Sequence, residues 1–118
     1  MSYLADYLRR QIELLASAVA RAMGQGAEGP NRAAADELDR AIASGTGLHA
    51  SLLLKLDPSS VVTLLGTDRA RLLADALEAR AWIVEPDEMA VSFSAAKRLR
   101  ARLERDEAPR RDQEARHL

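Results

Sequence analysis

The chain has 118 residues and a formal net charge of −1, with 47% hydrophobic and 30% charged residues, the balance of one globular domain able to bury its own core. It contains no cysteine, which excludes disulfides, thiolate catalysis and thiolate metal sites together. The near-neutral total speaks against a generic nucleic-acid binder, and a 3% aromatic content leaves Leu, Ala and Val to pack the helices that an Ala-Leu-Arg-Glu composition favours.

Residues 2–23 read as the clearest helix. Ser2 is the expected N-cap, and Leu4, Leu8, Ile12, Leu15, Val19 and Met23 recur at three- or four-residue steps. Tyr7, Leu14 and Ala18 widen that stripe to about half the circumference, so this helix is expected to touch at least two others and to form the spine of a bundle. Asp6, Arg9 and Arg10 interrupt any apolar leader run.

The loop that follows holds Gly24, Gly26 and Gly29, which match a dinucleotide-binding string. That mechanism needs a strand before the glycines and a helix opening at the phosphate. Here a helix precedes them and Pro30 follows, so Gly24 is expected instead to end the first helix in the left-handed conformation.

Asn31 should cap a second helix over 32–44, with Ala34, Leu38, Ala41 and Ile42 on its apolar side. Asp36, Glu37 and Asp39 fan around that helix and are not expected to hold a metal. A short apolar helix over 48–55 follows, with His49 isolated from any second ligand. The run from Ala41 to Leu54 is the longest without charge and is too short to span a bilayer. Asp57 before Pro58 is a strong helix start, and Gly66 ends that segment after about two turns.

Thr67 or Asp68 should cap the next helix, 69–84, where Leu72, Ala76, Ala79 and Ile83 form one stripe and Ala70, Leu73, Leu77 and Ala81 another. Trp82 belongs to neither. It falls among Arg71, Asp75 and Glu78, so it is either covered by another part of the chain or open to a partner. The final helix, capped by Asp87, carries Met89, Phe93, Ala96, Leu99 and Leu103 inward, with Lys97, Arg98, Arg102 and Arg105 crowding the outside. The segment 106–118 is charged, contains Pro109 and reads as a disordered tail that includes His117. The domain is therefore expected over 1–105.

The series Met89, Phe93, Ala96, with Leu73, Ala76 and Leu77 before it, resembles the two helices of a tetratricopeptide repeat. Arg80 stands where that repeat has Tyr, Met89 replaces a small residue, the Gly of the turn is missing, and no second copy follows at the repeat period. More broadly, Asp6-Tyr7-Leu8-Arg9-Arg10-Gln11-Ile12, then Gly47-Leu48, then this hairpin are similar in order to a group of small uncharacterised bacterial all-helical proteins. A bacterial source also agrees with basic residues that are nearly all Arg, Lys55 and Lys97 excepted. The resemblance implies a fold and no activity.

The expectation is thus an all-α, single-domain bundle of about five to six helices, the last two an antiparallel tetratricopeptide-like hairpin. No catalytic, cofactor or metal residues are assigned, and a cytoplasmic location is expected. The expected role is protein–protein interaction or self-association, through Trp82, Arg71, Lys97, Arg98, Arg102 and Arg105. The alternative is weak binding of nucleic acid or an acidic partner through the Arg-rich final helix.

Overall fold

The computed structural model describes the backbone of residues 3–25 and 29–116, and the side chains of residues 6, 7, 9–24 and 29–105. Ser2, Gly26 and His117, and the side chains of Leu4 and Leu8, lie outside the described residues. Among the described residues six helices follow in order: α1 (Tyr3–Gln25), α2 (Arg32–Thr46), α3 (Ala50–Leu53), α4 (Pro58–Leu65), α5 (Thr67–Ile83) and α6 (Pro86–Arg116). No strand occurs among the described residues, so the expected all-α bundle is the fold.

The helix starts with local chemistry are the ones anticipated. The Asn31 side chain accepts from the Ala34 amide at 3.1 Å. Asp57 accepts from the Ser60 amide at 3.2 Å and from the Ser60 hydroxyl at 2.7 Å, with Pro58 at the first helical position. Those hydrogen bonds, the hydroxyl first, hold the Asp57 carboxyl below its usual range. Gly66 adopts φ 82, a conformation that a side chain would strain, and it occupies the cap position of α5 expected of Thr67 or Asp68. At α6 the cap is Glu85 rather than Asp87: the Glu85 carbonyl accepts from the Glu88 and Met89 amides, so the helix opens on Pro86.

Several boundaries move. Gly24 stays inside α1 and has no positive φ; Gly29 has one. α2 continues through Gly45 and Thr46 before Gly47 closes it at φ 79. The mid-helix Gly45 has a packing reason, because a Cβ there would lie 3.0 Å from Cδ2 and 3.3 Å from Cβ of Leu15 on α1. The segment expected as a helix over 48–55 holds a single turn, with Ala50 and Leu53 buried but Leu52 exposed. α6 continues to Arg116 and takes Pro109 within its bounds. Extending an existing helix avoids the nucleation cost that opposes an isolated one.

The spine is α5, not α1. α5 packs on α1, α2, α4 and α6, whereas the main neighbours of α1 are α2 and α5. The stripe of α1 buries Leu15, Ala18, Val19 and Ala22, but Tyr7, Leu14 and Met23 are exposed, so the buried arc is narrower than the sequence pattern. α5 can be surrounded because Ala70, Ala74, Ala76, Ala79 and Ala81 let neighbours approach on nearly all sides, with Leu73, Leu77 and Ile83 filling the gaps. Its antiparallel pairing with α6 follows from the contacts: Asp75 and Glu78 meet Arg100, Arg80 meets Ser92, and Trp82 meets Phe93. Ala96, Leu99 and Leu103 of α6 are buried against the core as expected, and Met89 and Phe93 are half-buried.

Candidate functional site

Arg80 lies on α5 in register with Leu73, Ala76 and Leu77, which places a guanidinium on the buried face at the end of the helix. The residue is only 8% exposed. Its Nε donates to Asp39 Oδ1 on α2 at 2.9 Å, its Nη1 to the Ser92 hydroxyl on α6 at 2.9 Å, and its Nη2 is 3.7 Å from Glu88 Oε1. One cation thereby ties α2, α5 and α6 together. The Asn31 amide, donating to the Ile83 carbonyl at 2.8 Å, fixes the start of α2 beside the end of α5 and sets the distance Asp39 must reach. The position at the helix C-terminus favours a cation as well.

Two open clefts flank this tie, of about 470 Å³ and 310 Å³, and Asp36, Asp39 and Arg80 line both. The first adds His49 and Ser51, the second Glu85 and Glu88. Among the described residues no hydrogen bond joins His49 to Ser51 or Asp36. Of the acidic residues of α2, Glu37 pairs with Arg21 of α1 at 2.7 Å, whereas Asp36 and Asp39 share the clefts and Asp39 turns to Arg80. Among the described residues no three His, Asp or Glu side chains gather as a metal-holding group.

On the opposite side of the hairpin, Arg71, Asp75, Glu78 and Trp82 share the outer face of α5, at steps of three and four. Trp82 is 49% exposed. Its ring stands edge-on to Phe93 at a centroid distance of 5.2 Å and an interplanar angle of 89°, the geometry aromatic quadrupoles favour. Neither expected alternative holds alone, because Phe93 packs against the ring and the residue is still half exposed. Beside it, Arg100 bridges Asp75 at 2.8 Å and Glu78 at 2.7 Å. Partial burial pulls the Arg100 pKa down, but the hydrogen bonds to Glu78 and Asp75 outweigh it and the net shift is upward. A shallow groove of about 450 Å³ runs along this seam, lined by Glu78, Phe93, Lys97, Arg100, Ala101 and Glu104.

The structure divides the residues singled out from sequence. Trp82, Arg71 and Lys97 lie along the outer α5–α6 seam. Arg98 and Arg102 lie on the side of α6 facing α4, where Arg102 Nε donates to the Ser59 hydroxyl at 3.0 Å and Arg98 reaches the Ser94 carbonyl. Arg105 is exposed. The basic residues of α6 therefore do not form one patch with Trp82. The Asp39–Arg80–Ser92 tie has no local signature, since the partners are 41 and 12 residues from Arg80. The only available signal was a charged residue projecting between the two Ala/Leu stripes of α5.

Comparison with protein families, curated proteins and solved structures finds no match to this chain.

Proposed function

We propose that the chain is a helical protein–protein interaction module that docks through the outer seam of the α5–α6 hairpin. The observation carrying this reading is the sole tryptophan, 49% exposed yet held by Phe93. Large aromatics anchor interfaces because they bury much area while ordering few torsions. A ring already fixed by a neighbour loses still less freedom on docking. The tetratricopeptide-like hairpin is the scaffold in this reading, with Leu73, Ala76, Leu77 and Ala96 inside it and the aromatic pair outside. We take the source to be bacterial, on the Arg-for-Lys usage. The Arg-rich side of α6 adds no specific support for nucleic acid, because its arginines are apart from the seam and Arg102 is engaged by Ser59.

The test is a photoreactive amino acid placed at position 82 and, as a control, at the exposed Thr63 of α4. Irradiation in cells is expected to give a discrete protein adduct from position 82 and none from position 63. Equal labelling from both positions, or none from position 82, removes the reading.

A further inference from the structure

We infer that the seam is occupied by a second copy of the chain, with the two α6 helices docked antiparallel about a two-fold axis; this rests on the interaction reading above. Lys97 and Glu104 line the same groove, and both are exposed. They are seven residues apart on α6, so two turns and about 10 Å separate opposite charges on one face. Among the described residues neither makes an ion pair, whereas Arg100 between them is held by both Asp75 and Glu78. A two-fold axis near Ala101 brings Lys97 of each copy to Glu104 of the other and satisfies both charges twice. Such an isologous contact needs a surface that complements itself. Another partner would have to supply the same pattern, and a second copy carries it by construction. Ala101, exposed between the two charges, leaves room for the helices to approach, and a net charge of −1 adds little repulsion between copies.

The length of α6 completes the fit. Its 31 residues span roughly 46 Å, against roughly 26 Å for the 17 of α5. The helix therefore continues beyond Leu103, the last buried side chain described. With Lys97 opposite Glu104, the backbone of each α6 beyond Glu104 runs alongside Phe93 and Trp82 of the other copy. The exposed part of the indole then lies beside that overhang.

Sedimentation of the wild type, Lys97→Glu, Glu104→Lys and the double variant tests the assignment, with circular dichroism confirming that each is folded. The wild type is expected to form a concentration-dependent dimer. Each single variant, which sets like charges opposite each other twice, should weaken it by at least about tenfold. The double variant, and an equimolar mixture of the two singles, should recover it, because both restore opposite charges across the axis. A wild type that stays monomeric, or single variants that dimerise as tightly as the wild type, overturns the proposal. If the wild type is monomeric while position 82 crosslinks to a different protein, the second copy is excluded and the interaction reading stands. If it is monomeric and position 82 captures nothing, both fall.

Discussion

Arg80 shows how unequally a buried ion pair responds to losing one partner or the other. Its side chain is 10% exposed and that of Asp39 34%. Asp39→Ala would leave a buried cation with the Ser92 hydroxyl and, at 3.7 Å, the exposed Glu88 carboxylate, and should cost about 2–4 kcal/mol. Arg80→Met leaves an anion that water can reach, fills the space with apolar atoms, and should cost less despite the idle Ser92 hydroxyl. Urea titration of the two variants checks the order; an Arg80→Met protein less stable than Asp39→Ala contradicts it. This residue was illegible in the sequence for a physical reason. Periodicity placed Arg80 near the stripes of α5, but the carboxylate that makes its burial tolerable comes from another helix, 41 residues away. Trp82 was legible, because a large apolar residue among Arg71, Asp75 and Glu78 breaks the pattern of its own helix.

At the scale of elements, what the sequence disclosed was local. Asn31 and Asp57-Pro58 announce helix starts because the cap, its acceptor and the amide it bonds lie within three residues. The choice of central helix was not local. α1 shows a strong stripe because it is buried on one side only. α5 shows little contrast because alanines surround it, and its one polar strip, Arg71 to Trp82, is the outer face. The α1–α2 crossing tests this packing. Gly45→Ala gains about 1 kcal/mol of helix propensity, but its Cβ would press on Leu15, which is 2% exposed and cannot withdraw. Overpacking of this kind typically costs about 1–3 kcal/mol, so a net loss of stability is expected in a urea titration. A more stable Gly45→Ala protein would show that the two helices are not in tight contact there.

Taken whole, the molecule sets two kinds of polar feature on different sides. The Asp39–Arg80–Ser92 tie holds α2, α5 and α6 in one arrangement, and the outer seam presents Trp82, Phe93, Lys97 and Glu104 on the rigid hairpin so held. Six helices and the hairpin pairing follow from patterns spread along the chain, whereas the seam depends on which face of α6 meets α5. That register brings Arg100 to Asp75 and Glu78, the first of these a contact across 25 residues that no window of sequence reveals.

The most direct test of the seam as a docking face is acrylamide quenching of the tryptophan fluorescence across a concentration series that spans association. With one tryptophan in the chain, the signal reports position 82 alone. Trp82 is predicted to be readily quenched in the dilute protein and to become shielded as the mass doubles, with Lys97→Glu delaying both changes together. Association that leaves the quenching of Trp82 unchanged would place the interface elsewhere and contradict the account.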